Sequence, residues 1–428
     1  MSKKNIVITH GYSDSNKGDL AITQATVDGL KEFYPNARIT LLSTFREKDS
    51  HFWHHNRKMK TNDIEIIQGI LPTPYIGGET SIMVNAIAAI RLCKDYFQLL
   101  ISKYGIIGKI FGGRQYKAYS LLKCADLVIV KGGQFIFNDK EDLRGNLFLW
   151  RTLQPISVAY KLGKPIVVLG QSIGSFASRK SEKYAMKYIA LCNQVVVREE
   201  LSLKLLNKYR LKNITLVPDC AFFIEKKDVH IDLSITKEKE ILGVTVVNWT
   251  FPENKNPKNA KEKYINNLVL SIEIAFKKFN LFPVFVPQVT VKHHGKSDLD
   301  LIYLVQKKLN IKGVNSLVLK DDFNANEMVG VYAKCKMLIG TRLHSCILAA
   351  NAGTPIIAIR YQGFKTQGVM KMLGFENFVH DINHLKSKEL TKNIEAILIN
   401  DTEIRFQLKR KVKQFREELN EMFRNLGQ

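Results

Sequence analysis

Residues 337–359, MLIGTRLHSCILAANAGTPIIAI, hold a whole structural unit in one line of sequence. An apolar run stops at Gly340, and a Thr-Arg-Leu-His-Ser turn follows. An Ala-rich stretch with helical spacing then takes over, and Gly-Thr-Pro opens a second apolar run. Two strands joined by a crossover helix make a parallel βαβ unit. The turn carries Arg342 and His344, two residue types that a buried apolar unit does not call for. In an open α/β sheet, ligands bind at that position, beyond the carboxyl end of a strand.

The same alternation runs outward in both directions. The first half offers NIVITHG, RITLLS, ADLVIVKGG, PIVVLGQSIG, QVVVREE and ITLVPD. A second series begins near residue 240 with ILGVTVV, FPVFVPQ, SLVLKDD, KMLIGTR and TPIIAI. Short apolar runs that end in Gly or polar residues, with helical patterns between them, predict parallel strands buried on both faces. A chain of 428 residues exceeds one ordinary core, so two domains of about 200 residues are expected. The charged, aperiodic FFIEKKDVHIDLSITKEKE is the expected linker. The fold class is therefore α/β: two doubly wound, Rossmann-like domains, residues 1–230 and 238–395, meeting at an interdomain cleft. A C-terminal helix over 396–428 follows; it either crosses back onto the first domain or ends the second as a solvated helix.

Hydrophobic residues at 45% and charged residues at 24% are ordinary for a globular protein. The net charge of +24 is not, and it points to an anionic partner. Zinc spacings, a P-loop, a G-x-G-x-x-G fingerprint and a nucleic-acid reading module are all missing from the sequence. No nucleic-acid partner is expected, because the charge is spread along the chain. No apolar stretch is long enough to span a membrane, and MSKKNIVITHG reads as a first strand rather than a signal peptide. The six cysteines form no C-x-x-C pair. They read as buried free thiols, which favours a reducing cytoplasm.

Residues 81–123 break the alternation, with seven Lys/Arg and one acid among apolar residues at mixed helical spacing. A basic amphipathic helix can lie on an anionic bilayer. Arg91, Lys94, Lys103, Lys109, Arg114 and Lys117 would then hold the protein peripherally at the inner face of the membrane. The alternative is a helical insertion packed on its own domain.

Arg342 can grip a carboxylate or phosphate through two parallel hydrogen bonds. His344 can exchange a proton near neutral pH, and the following helix start presents unpaired N–H groups to an anion. The competing reading pairs Arg342 with a nearby acid and makes His344 a helix cap. After the next strand, Gly363, Lys365 and Gly368 form a second loop on the same sheet edge. In the first domain, Asn16, Lys17, Gly18 and Asp19 form a long turn after strand one, either ligand-facing or simply a cap. Gly132–Gly133 and the Gln171–Ser172 turn lie at strand ends where backbone can meet a ligand. Arg198 ends QVVVR and points to the same crevice unless Glu199 or Glu200 pairs it, and Asp219 is a further acid at a strand end. Asp298 and Asp300 look like a metal-binding Asp-x-Asp but read better as a helix start, so no metal site is expected.

GTRLHSCILAANAGTPIIAI, KGGQFIFND, GQSIGSF, VREELSLKLL and the NKGD turn together resemble the polysaccharide pyruvyl transferases. Block order and length are most similar to the bacterial branch that makes colanic acid and related exopolysaccharides. The resemblance covers about residues 5–385. It implies a GT-B-like fold and phosphoenolpyruvate bound in the cleft by Arg198, Arg342, Leu343 and His344. It also implies transfer of pyruvate as a ketal onto a lipid-linked oligosaccharide, with no cofactor beyond that donor. His344 would move the proton, with Arg342 and Arg198 stabilising charge. Asn16, Lys17, Gly18, Asp19, Gly132, Gly133, Gln171, Ser172 and Asp219 would line the acceptor side. Gln134 and Gln171 depart from the family's usual Gly or Ser and His or small residue, which bears on the acceptor more than the donor. A GT-B glycosyltransferase using a nucleotide sugar is the alternative function.

Overall fold

Apolar runs become strands almost residue for residue. In the first sheet these are β1 (Asn5–Gly11), β2 (Arg38–Ser43), β3 (Glu65–Gln68), β4 (Leu127–Val130), β5 (Ile166–Gln171), β6 (Gln194–Val197) and β7 (Ile214–Leu216). All pair in parallel, in the order β3-β2-β1-β4-β5-β6-β7. The second sheet holds β8 (Glu240–Thr245), β9 (Leu281–Phe285), β10 (Leu317–Val318), β11 (Met337–Gly340), β12 (Ile356–Arg360) and β13 (Val379–Asp381). Its order is β10-β9-β8-β11-β12-β13, again parallel throughout. The computed structural model describes residues 4–49, 52–59, 64–75, 81–290, 297–363 and 365–427.

Helices cover both faces of a doubly wound sheet, so its central strands must be apolar throughout. LVIV of β4, IVVLGQ of β5 and MLIG of β11 are buried at every residue. Each sheet reverses its strand order once, between β1 and β4 and between β8 and β11. Such reversals open a crevice beyond the carboxyl ends of the two strands. Both sheets are thus Rossmann-like. The strands not foreseen in the sequence, β3 and β13, are short outer strands with polar residues.

By contact, the chain divides into one unit of Met1–Asp14, Ile22–Cys220 and Glu418–Gln428, and another of Ser15–Ala21 and Ala221–Glu417. Two sequence expectations shift accordingly. Asn16–Asp19, expected in the first domain, group with the second sheet. Residues 222–240, expected as a linker, pack on that unit: the Phe222 ring lies 4.9 Å from Phe415, and Lys227 N donates to Asn326 O at 3.1 Å. The tail forms two helices, Ser387–Ile399 and Asp401–Arg424. From Glu418 the second groups with the first unit, where Phe423 stacks on Phe33.

Residues 81–123 form three helices, Ile82–Ile101, Gly105–Phe111 and Gly113–Lys123. Three of the six basic residues expected to face outward are instead ion-paired within the unit: Arg91 to Asp49 at 3.8 Å, Arg114 to Glu47 at 2.8 Å, and Lys117 to Glu65 at 2.8 Å. All six cysteines are free thiols. Cys220, Cys335 and Cys346 are buried, but Cys93 and Cys124 are exposed, against expectation. Cys124 is the residue that ends the helix Gly113–Lys123. Among the described residues no helix is long and apolar enough to cross a membrane.

Candidate active site

The second unit's candidate site forms at its strand reversal. β8 ends at Thr245 and β11 at Gly340, and the two are paired neighbours. Thr341 N donates to Thr245 Oγ1 at 3.1 Å, and Thr341 Oγ1 donates to Thr245 O at 2.8 Å. Ser345 Oγ lies 2.9 Å from Thr245 Oγ1 and donates to Arg342 O at 2.6 Å. These buried hydroxyls leave the turn little freedom. Arg342 is the residue before the helix Leu343–Asn351, so Leu343 and His344 lie in its first turn rather than in the loop. Its helix dipole adds positive potential where the Arg342 and His344 side chains stand.

Arg342 does pair with an acid. Its Nη2 donates to Asp298 Oδ1 at 2.6 Å, and the guanidinium lies 5.9 Å from the centre of the Tyr361 ring. Arg342 Nε is buried and makes no hydrogen bond. The acid and ligand readings are therefore compatible: Asp298 fixes one side of the fork and leaves donors for an anion. Asp298 also accepts from Val289 N at 2.9 Å and Gln288 N at 3.3 Å. Burial lifts its carboxyl above the usual range, against the pull of Arg342 and the two backbone N–H groups. Asp298 does start the helix Leu299–Ile311, as expected, and is also the arginine's partner. Among the described residues no group of three or more His, Cys, Asp or Glu is arranged to hold a metal.

The NKGD turn packs beside this site. Lys17 N donates to Gln288 O at 2.9 Å, and Lys17 Nζ meets Asp322 at 2.5 Å and Phe323 O at 2.8 Å. A buried ammonium needs such partners, and they pin the segment to the second unit. Asn16 receives Gly18 N at 3.2 Å and donates to Asp19 Oδ2 at 2.6 Å, so it caps the helix Lys17–Phe33. Gly18 lies against His344 so closely that a Cβ there would collide with the imidazole. Lys365 opens the helix Lys365–Leu373 after Gly363, whose φ is +57°.

In the first unit, Arg198 follows β6 and is buried. Its Nη1 donates to Asp219 at 2.5 Å and its Nε to Ser172 Oγ at 2.9 Å. Glu199 is no partner of Arg198; it caps the helix Glu200–Lys208. Gln171 and Gln134 brace the glycine turns: Gln171 Nε2 donates to Lys131 O, and Gln134 Nε2 donates to Gly174 O at 2.7 Å. Gly133, at φ +133°, and Gly170, at φ +64°, adopt conformations that suit glycine. Gly132 admits Leu169 O and Gly170 O so closely that a side chain there would clash.

Sequence reading missed Asp298's pairing, Tyr361, and two buried residues beside the first sheet's reversal, Lys131 and His10. Lys131 stands in VKGGQ directly after a strand, the one signal that could have flagged it. His10 Nε2 bonds Thr152 O at 2.8 Å. Burial, with smaller contributions from Arg151 and Lys131, pushes its pKa down to about 4.

A family model described as polysaccharide pyruvyl transferase matches residues 16–363. The chain is 26% identical over 435 residues to the amylovoran biosynthesis protein AmsJ of Erwinia amylovora, with 96% of each covered. Among solved structures it resembles HepE of Anabaena in complex with UDP, with TM-score 0.54, 10% identity, and 98% and 97% of the two chains covered. It also resembles Phytolacca americana UGT2, with TM-score 0.56, 11% identity, and 99% of both chains covered. At such identities these two likenesses concern the fold, which is that of the GT-B enzymes.

Proposed function

The chain belongs to the polysaccharide pyruvyl transferase family, and from that premise we propose that it moves pyruvate from phosphoenolpyruvate onto a sugar of an exopolysaccharide repeat unit as a cyclic ketal. The observation that carries this reading is Arg342, fixed by Asp298 yet with a buried Nε free of any hydrogen bond, two residues before His344 at a helix start. Phosphoenolpyruvate presents a carboxylate and a phosphate, and each suits a guanidinium fork. Arg342, Leu343 and His344 are assigned to the donor.

In this scheme a sugar hydroxyl adds to C2 of the enol while a proton is delivered to C3. His344 delivers that proton, and the attacking hydroxyl gives up its own. The C2–O bond to phosphate then breaks as a second hydroxyl of the same sugar closes the ring, releasing inorganic phosphate and the second hydroxyl's proton. Arg342 stabilises the charge that gathers on the leaving phosphate. The scheme uses no metal ion. A lipid-linked oligosaccharide is the acceptor, which places the reaction at the inner face of the membrane.

The GT-B likenesses favour one rival, sugar transfer from a nucleotide donor with the same cations on a diphosphate. Thermal-shift titration separates the two, because a ligand of the folded state raises stability with concentration. Phosphoenolpyruvate is expected to raise the melting temperature and UDP- and GDP-sugars to leave it unchanged. A shift with nucleotide sugars alone would overturn the proposal.

A further inference from the structure

Half of the exposed large apolar side chains among the described residues lie within residues 82–111. They are too concentrated to be scattered surface exposure, and a patch of this kind marks an interaction site. Ile82, Ile106 and Ile110 are 91%, 77% and 65% exposed. At about 100° per residue, Met83, Ile90 and Phe97 fall on one stripe of the helix Ile82–Ile101, and Arg91, Lys94 and Gln98 on the next.

That second stripe borders a 290 Å³ cavity. Five cations line it: Arg46, Lys48, Arg91, Lys94 and Arg114, against the carboxylates of Asp49 and Asp95. Arg46 is held by Asp95, which burial pushes above the usual carboxylate range. Arg114 is held by Glu47, and Arg91 stands 3.8 Å from Asp49 with its Nη1 making no hydrogen bond. Lys48, Lys103 and Lys109 form no salt bridge among the described residues, and Lys94 acts on Asp95 only by longer-range attraction.

We propose that this face seats the protein on an anionic bilayer, with the apolar stripe in the interface and a lipid headgroup phosphate in the cationic cavity. Charge complementarity selects the occupant. Residues 81–123 contain a single acid, Asp95, and it is buried against Arg46. A second copy of the chain docked here about a two-fold axis would set lysine against lysine, because the cavity's carboxylates, Asp49 and Asp95, are already paired to Arg91 and Arg46. A bilayer surface supplies both the negative charge and the apolar depth, and Lys103 and Lys109 can lay their stems along the apolar surface with ammonium groups at the headgroups. The inference shares with the proposed function only the place where the acceptor is met, and its test involves no donor or acceptor.

The test is co-sedimentation of the full chain with vesicles of phosphatidylcholine, alone or mixed with phosphatidylglycerol, at low and high salt. The protein is expected to pellet with the anionic vesicles, less so at high salt, and to stay in solution with the neutral ones. Lys48→Gln with Lys94→Gln is expected to weaken partitioning roughly thirtyfold, from two basic residues near the surface. Ile106→Ser with Ile110→Ser changes only exposed side chains and is expected to release the protein at either salt. Equal pelleting on neutral vesicles would overturn the proposal, as would no loss from either pair. A wild-type dimer that ignores vesicles and that the isoleucine pair makes monomeric would assign the face to a second copy instead.

Discussion

Replacing Gly18 with alanine sets two predictable effects against each other. Gly18 is the second residue of the helix Lys17–Phe33, where Gly→Ala alone would stabilise by up to about 1 kcal/mol. The added Cβ, however, would lie 2.8 Å from Cγ of His344 and closer still to its Nδ1, where an ordinary contact begins at 3.4 Å, so the ring must retreat by more than about 0.6 Å. A misplacement of about 1 Å in a catalytic group can cost roughly a hundredfold in rate. Gly18→Ala is therefore expected to lower turnover about ten- to a hundredfold, approaching His344→Ala, with phosphoenolpyruvate still binding. The assay is steady-state phosphate release from phosphoenolpyruvate with acceptor present, run beside thermal melts of the same preparations. Wild-type turnover together with a raised melting temperature would show that the imidazole can move without consequence. His344 would then lose its role as the proton-transfer group.

Asp298→Ala leaves Arg342, 17% exposed, without its buried acid, and since removing one partner of a fully buried pair costs roughly 3–5 kcal/mol, this one should cost somewhat less; urea melts should show that loss, and one below about 1 kcal/mol would mean Arg342 finds another partner. His10 titrates near 4 in the folded chain because of burial, below its ordinary 6.5. Between those values the unfolded chain binds the extra proton, so stability is full above pH 6.5 and falls as pH drops toward 4. His10→Asn tolerates the +66° backbone φ there. It should remove about 2 kcal/mol of the stability difference between roughly pH 7 and 5; an unchanged pH slope in denaturant melts would assign the effect to other groups.

The strands were legible because a sheet covered on both faces writes itself as apolar runs, and NIVITHG and RITLLS became β1 and β2 without a residue's change. The Arg342–His344 turn was legible for a related reason: charge at the end of an apolar strand has to be explained. What sequence could not give was strand order. Asp298 follows β9 and reaches Arg342 after β11 because β8, paired to both, lies between them. Lys17 could not be placed for the same reason, since its partner Asp322 is 305 residues away. Short edge strands such as EIIQ lacked the apolar run that identified the others.

The thiols are distributed so that the protein carries its own reporter. Burial pushes Cys192, Cys220, Cys335 and Cys346 up to about 12, far from the thiolate form that reacts. Cys93 and Cys124 are exposed. Cys93 lies three residues after Ile90 and four before Phe97, on the apolar side of its helix. With Cys124→Ser, a maleimide dye that brightens in apolar surroundings would therefore report from the centre of the exposed patch, in an otherwise native chain.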